Sequence, residues 1–340
     1  MAEPAPSASR RIAGYELLRL HGRGGMGEVY EARDRALERR VALKVLAEHL
    51  VGDASAATRF QREITLAARV EHVGIVPVYT AGVDAASGRV YIATRFVDGP
   101  NLQTQVRVNG PLKPSDATTV LGQLGSALQA VHDAGLVHRD VKPHNVLLWA
   151  PGARDQHALL TDFGIASAVH DTGHLTRAGA IVGSPAYMAP ELWRGEPATP
   201  ASDQYALACV AQFILTGRGP FDTLSDAWPR RHLEGVPEPL PSAAAPATQR
   251  AIARALSKRP ADRFSSVRAF LDQLGAAAAF DRAEAVTQVL RAGTDETVTH
   301  ALTEQYALTE PTVALLTDRA PSEIIRERRL AARRAIMGGD

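Results

Sequence analysis

Lysine is scarce in this chain. The 340 residues hold 38 lysines and arginines together, and the lysines are Lys44, Lys113, Lys142 and Lys258 alone. A planar guanidinium and a compact ammonium are not interchangeable at every site, so a lysine kept against an arginine habit hints at a need for a point charge. Cysteine is scarcer still. The single Cys209 excludes an internal disulfide framework and a Cys-rich metal centre, suits a reducing compartment, and reads as core because it sits in an apolar run. Net charge is also nearly absent, at +1, which leaves no basic footprint for nucleic acid and no acidic tail. Long apolar runs are missing too. The best candidate, Ala206 to Leu215, contains Gln212 and falls short of the roughly 18–20 residues that span a bilayer. The start, MAEPAPSASRR, has no apolar segment of the signal-peptide kind. The expectation is a soluble, cytoplasmic chain without a transmembrane segment.

What is present supports a substantial core. Hydrophobic residues make up 45% of the chain, and 340 residues correspond to about two domains or one large two-lobed one. Residues 1–13 are rich in Ala, Pro and Ser and read as a disordered arm. From Tyr15 to about Phe96 short β-like runs dominate. Val41 to Leu46 reads as a strand, as do Val76 to Val83 and Arg89 to Phe96, the last two separated by a Ser-Gly turn. Thr58 to Val70 interrupts them as one helix, with Phe60, Ile64, Ala67 and Ala68 at helical spacing. After Asp98-Gly99-Pro100 helices take over. Ser115 to Ala134 is predicted helical with Ser115 as its N-cap, and Ser202 to Leu215 as a helix buried all round. Trp228 to Pro246 is proline-rich and reads as loop, followed by short helices over Thr248 to Leu256 and Val267 to Leu274. The fold class expected is α+β: a small β-rich N-lobe with one key helix, and a larger, mainly α-helical C-lobe.

Three segments carry chemistry. Gly22-Arg-Gly24-Gly-Met-Gly27-Glu-Val29 lies between two predicted strands, and its glycines let backbone amides approach an anion. No helix follows it, which argues against a dinucleotide fingerprint and for a strand-turn-strand closing over phosphates. Lys44 shares one face of its strand with Ala42, opposite Val41, Leu43 and Val45. A buried lysine needs an acid or a phosphate, and Glu63 on the next helix is the natural partner; an ordinary exposed strand lysine is the plainer alternative. The third segment is His138-Arg-Asp140-Val-Lys142-Pro-His-Asn145, followed by Thr161-Asp162-Phe163-Gly164 and by Gly183-Ser184-Pro-Ala-Tyr187-Met-Ala189-Pro190-Glu191.

With these motifs in order, the chain resembles the eukaryotic-type (Hanks-type) protein kinases, and most of all the bacterial serine/threonine group. The resemblance covers about Tyr15 to Leu274. It implies a kinase domain over residues 14–274, with an N-lobe at about 14–96 and a C-lobe at about 100–274, and leaves 275–340 as a helical extension of unknown role.

The resemblance also implies roles. The loop of Gly22, Arg23, Gly24, Gly25, Met26 and Gly27 covers the ATP phosphates. Lys44 contacts the α- and β-phosphates and is held by Glu63. Asp140 orients the substrate hydroxyl and accepts its proton, and Lys142 reaches the γ-phosphate, a mark of Ser/Thr specificity. Asn145 and Asp162 are hard oxygen ligands for Mg²⁺, with Mn²⁺ as an alternative. Adenine sits between Val29 and Ala42 above and Leu147 below, beside Thr94 as a small gatekeeper, and bonds the backbone of Arg95 and Val97. Arg95 departs from the family pattern, where an acid is common; a backbone contact does not depend on that side chain. Glu191 is expected to pair with Arg263, and Asp203 to bond backbone near Arg139.

Between Gly164 and Gly183 lies the implied activation segment, with autophosphorylation expected at Thr176 and secondarily at Thr172, in trans within a homodimer. A phosphate there adds about −1.5 to −2 charge and can order a loop against arginines. The partners implied are ATP and protein substrates bearing Ser or Thr, with no nucleic acid. Two rivals differ in class. A pseudokinase would lack a catalytic Lys, Asp or metal ligand, and none is missing. A small-molecule kinase would lack the Ala-Pro-Glu element around Ser184 to Glu191, and it is present. Beyond 274, Ile324 to Met337 concentrates arginine, with a membrane-surface or partner helix, or a segment folded back on the kinase, weighed against a solvated helix end.

Overall fold

The computed structural model describes residues 11–25, 27–47, 64–150, 156–162, 184–221, 227–241 and 245–276, together with 279, 283 and 287. Met26, Glu63, Phe163, Gly164, Thr172, Thr176 and Gly183 therefore lie outside the described residues, as does the arginine-rich segment at 324–337.

The first part of the chain forms an antiparallel six-stranded sheet: β1 (Arg11–Ile12), β2 (Tyr15–Gly24), β3 (Gly27–Asp34), β4 (Arg39–Leu46), β5 (Val78–Val83) and β6 (Val90–Arg95), in the order β1-β2-β3-β4-β6-β5. The alternation read along β4 holds. Val41, Leu43 and Val45 pack with Tyr15, Tyr30, Ala32 and Ala93 on one face, while Ala42 and Lys44 face a cleft on the other. Gly27 makes the turn from β2 to β3 possible: its φ is +130°, and a Cβ there would collide with Val45 O. Among the described residues the interrupting helix is α1, at 64–67, and Ile64 packs it against Leu46 and Ile92.

The second lobe is helical: α2 (Leu102–Asn109), α3 (Pro114–Asp133), α4 (Pro190–Trp193), α5 (Pro200–Thr216), α6 (Trp228–Glu234), α7 (Pro246–Ala255) and α8 (Val267–Leu274). A two-stranded ribbon of β7 (Val146–Trp149) and β8 (His157–Leu160) lies at its cleft edge. α5 is buried on all sides from Ser202 to Ile214 and is opened by a reciprocal Thr199–Ser202 capping box. α3 and α8 approach so closely that a Cβ at Gly125 would collide with the Leu271 side chain. These contacts place Leu124, Leu128, Tyr205 and Phe270 in one fully buried core.

Two readings of this lobe are corrected. Residues 228–234 are helix, not loop: Pro229 falls in the first turn, where a missing N–H costs nothing. Ser115 is not the N-cap of α3. Pro114 takes the first helical position and moves the cap to Lys113, which makes no side-chain capping bond.

Candidate functional site

A cleft of about 410 Å³ runs between sheet and helices. Its roof is β2, β3 and β4, which contribute Gly22, Val29, Ala42 and Lys44; Thr94, Arg95 and Val97 line it at the back, and Leu147 and Asp162 below. Nine of the positions read from the sequence thus line one cavity. Arg23 points elsewhere, its guanidinium paired with Glu28 on the exposed hairpin. The Arg95 N–H donates to Pro77 O at 3.0 Å, which ties the connector to the start of β5. His21, Phe96, Asn101 and Thr104 also line the cleft and were not singled out in the sequence. They have no composition or spacing signal, because they meet only when β2 folds over the connector.

Lys44 is paired, but the described partner is Asp162: Nζ lies 2.9 Å from Oδ2, with the lysine side chain 11% exposed. Burial works against ionisation of Asp162. The Lys44 ammonium, by charge and hydrogen bond, and then Lys142, outweigh it and hold the carboxyl below its usual range. Asp162 is thus an anion at neutral pH.

Across the floor, Asp140 is held through one oxygen. Lys142 Nζ donates to its Oδ2 at 2.6 Å and Asn145 Nδ2 donates to the same atom at 2.9 Å. Asn145 also donates to Asp140 O at 2.9 Å, so both its amide hydrogens are turned toward Asp140. Oδ1 of Asp140 makes no bond among the described residues.

The turn carrying these groups is unusual. Arg139 has φ of +70° and Asp162 of +60°, left-handed values that cost a non-glycine residue energy. Asp203 holds the first of them. Its carboxylate accepts the N–H of His138 and of Arg139, each at 2.8 Å, and faces His132 Nε2 at 2.8 Å. Asp203 is 1% exposed, so these bonds are made away from water. His138 links the two halves of the floor. Burial pushes its ring below the ordinary imidazole range in spite of Asp203 and Asp140, which leaves it neutral. The tautomer that fits both contacts donates Nε2–H to Thr161 O at 3.1 Å and accepts the Asp140 N–H on Nδ1 at 3.3 Å. Thr161 N–H in turn donates to Asn145 O at 3.0 Å.

Asn145 and Asp162 are therefore brought side by side by a backbone bond, and each has a hard oxygen to offer. Asn145 spends its nitrogen on Asp140 and keeps Oδ1 for a cation. That donor set fits a divalent metal of the oxygen-seeking class. No three His, Cys, Asp or Glu side chains cluster as a metal site among the described residues, so a cation here would take part of its coordination from a bound phosphate or water.

Away from the cleft, Glu191 and Arg263 form a two-pronged pair at 2.8 and 2.7 Å, as the sequence reading expected, with Ser202 Oγ donating to the same carboxylate. Ser184 shares a cavity of about 20 Å³ with Arg139 and Asp140. Lys258, which had no role in the sequence, donates to Arg231 O and His232 O at 3.2 and 2.9 Å and so caps the last turn of α6.

Comparison with known proteins agrees with this geometry. Residues 15–274 match the protein kinase domain family. Serine/threonine-protein kinase PknD of Mycobacterium tuberculosis (strain CDC 1551 / Oshkosh) is 40% identical over 271 residues, which cover 78% of this chain and 40% of that protein. Serine/threonine-protein kinase PknE of Mycobacterium bovis is 43% identical over 254 residues, 74% of this chain and 44% of that protein. The chain therefore matches less than half the length of these relatives. Among solved structures, the Mycobacterium tuberculosis PknI kinase domain superposes with a TM-score of 0.63 at 33% identity, covering 81% of this chain and 99% of that one. With the family matched across both lobes and the cleft between them, this chain belongs to the protein kinase family.

Proposed function

We propose that the chain is a bacterial serine/threonine protein kinase that transfers the γ-phosphoryl group of ATP to Ser or Thr hydroxyls of proteins. The observation that carries this reading is the convergence of Lys142 and Asn145 on one oxygen of Asp140, opposite the Lys44–Asp162 pair across a cleft of nucleotide size. With Oδ2 pinned, Oδ1 of Asp140 is the atom that orients a substrate hydroxyl and takes its proton. Lys142, beside it, meets the charge that develops on the transferred group. Lys44 holds the α- and β-phosphates by charge, and Glu63 is its expected second partner. Gly22, Arg23, Gly24, Gly25, Met26 and Gly27 form the loop over the phosphates. Val29, Ala42 and Leu147 enclose the adenine, Thr94 borders it, and the Arg95 and Val97 backbone bonds it.

Asn145 and Asp162 would hold Mg²⁺, which would supply positive charge against that of the phosphates. Autophosphorylation at Thr176, and secondarily Thr172, in trans within a homodimer, belongs to the same reading. So does a cytoplasmic setting, where ATP and a reduced thiol such as Cys209 coexist.

The test is incubation of the full chain with γ-labelled ATP, Mg²⁺ and a general protein substrate, followed by phosphoamino-acid analysis. Phosphoserine and phosphothreonine are expected, with loss of signal in Asp140→Asn. Label confined to small molecules would overturn the protein-kinase reading, and a folded wild type with no transfer would favour a scaffold.

A further inference from the structure

Beyond the residues matched by the family, the chain returns to the lobe junction. α8 ends at Gly275, whose φ of +79° turns the backbone so that Ala276 N–H donates to Leu271 O at 2.9 Å. Ala276 is fully buried. Ala279, Ala283 and Thr287 follow in helical conformation, four residues apart and so on one face. Ala283 is 3% exposed and Thr287 is fully buried. The Thr287 hydroxyl donates to Ala283 O at 2.8 Å and accepts the backbone N–H of Val73 at 3.2 Å. Both of its hydrogen-bonding roles are in use, one of them on a residue 214 positions away.

Val73 lies in a buried strip of chain between α1 and β5 that bonds α3 and β8. Residues 72–76 are all buried. His72 Nε2 meets Ser126 Oγ of α3 at 2.7 Å, and Gly74 N–H donates to His72 Nδ1 at 2.9 Å. Leu160 N–H donates to Gly74 O at 2.8 Å, and Val76 N–H donates to Leu160 O at 2.9 Å. Leu160 ends β8, two residues before Asp162, the partner of Lys44. In the other direction the strip leads back to α1. The strip is thus bonded to the strand that runs on to Asp162, and Asp162 in turn holds Lys44.

We propose that the described residues of the extension, Ala276, Ala279, Ala283 and Thr287, form an intramolecular brace. Its small-residue face docks on residues 72–74, and Thr287 is a positioning residue that acts on the Lys44–Asp162 pair through Val73. The partner of this surface is the chain's own extension. A small-residue face alone would say nothing; the hydroxyl closing on a buried backbone donor is what specifies the docking. Removing that hydroxyl leaves Val73 N–H buried without an acceptor, so the strip must shift or open.

The test compares Thr287→Val and Thr287→Ser with wild type, in the full chain, by amide hydrogen exchange over residues 72–76 and by steady-state phosphoryl transfer. Thr287→Val is expected to speed exchange at Val73 about tenfold, the consequence of one lost buried hydrogen bond. It is expected to lower kcat by roughly threefold to tenfold with KM for ATP little changed, a coupling of ordinary size. Thr287→Ser, which keeps the hydroxyl, is expected to restore both. Unchanged exchange at Val73 would overturn the docking. Faster exchange with unchanged kcat would overturn the positioning role. Where Thr287→Val does not fold, Ala283→Leu, which enlarges the buried face and leaves the hydroxyl, is read by the same two measurements with the same criteria. A wild type with no kinase activity would sink the proposed function, while exchange at Val73 would still decide the docking.

Discussion

The roof of the cleft is tied at its outer edge by ion pairs that water reaches. Arg19 and Arg40 both bond Glu31, at 3.2 and 2.9 Å, with arginine side chains 66% and 48% exposed. In the helical lobe below the cleft, Glu191 and Arg263 meet with side chains 2% and 0% exposed, and Asp203 meets its three donors at 1% exposure. Exposed pairs are screened and worth little, whereas breaking a buried pair strands a charge. The roof is therefore tied loosely at its outer edge, while the floor that presents Asp140 is held in a strained shape by bonds made away from water.

Breaking the buried pair of the helical lobe should cost most. Glu191→Gln leaves the buried Arg263 guanidinium without its counter-charge, and a loss of about 3–5 kcal/mol in unfolding free energy is expected by denaturant titration. The pH dependence has a defined sign. Burial opposes ionisation of Glu191, but Arg263 outweighs it and holds the carboxyl below its ordinary range. Its contribution is thus present above the unfolded glutamate range and is lost as pH falls through the folded value. The variant should show a shallower acid limb than wild type.

Asp203→Asn comes next. An amide can still accept, but its –NH₂ would face a backbone N–H, so one of the two bonds that hold the left-handed Arg139 is lost. A loss of about 1–3 kcal/mol is expected, with a larger fall in kcat than in KM for ATP. Equal effects on stability with kcat untouched would detach Asp203 from the catalytic turn. At the roof, Glu31→Ala removes both ion pairs together, yet a change below about 1 kcal/mol is expected, falling further in high salt. A loss as large as that of Glu191→Gln would erase the difference between the two regions.

Much of this was legible in the chain. The alternation along Val41 to Val45 put Lys44 and Ala42 on one face, which the structure turns to the cleft, and the ordered motifs pointed to Asp140, Asn145 and Asp162 together. Where reading failed, the cause was local chemistry with two meanings. Pro229 looked like a loop signal and is a first-turn proline; Ser115 looked like a cap and was displaced by Pro114. Contacts across long separations that no motif carries left no trace. Nothing near Thr287 announces Val73, and nothing near Lys258 announces the carbonyls of Arg231 and His232.

The lysines return with sharper meaning. Lys258 caps a helix, Lys113 opens one, Lys142 pins Asp140, and Lys44 holds Asp162. The most direct test of the account is Lys44→Arg, which keeps the charge and follows the chain's own habit. An arginine fork is wider than the ammonium that fits at 2.9 Å from Asp162 in a nearly closed site. The variant should melt near wild type and lose at least about a hundredfold in kcat/KM for phosphoryl transfer, the size seen when transition-state charge loses a placed partner. Transfer within a few-fold of wild type would contradict the placement of Lys44 at the phosphates.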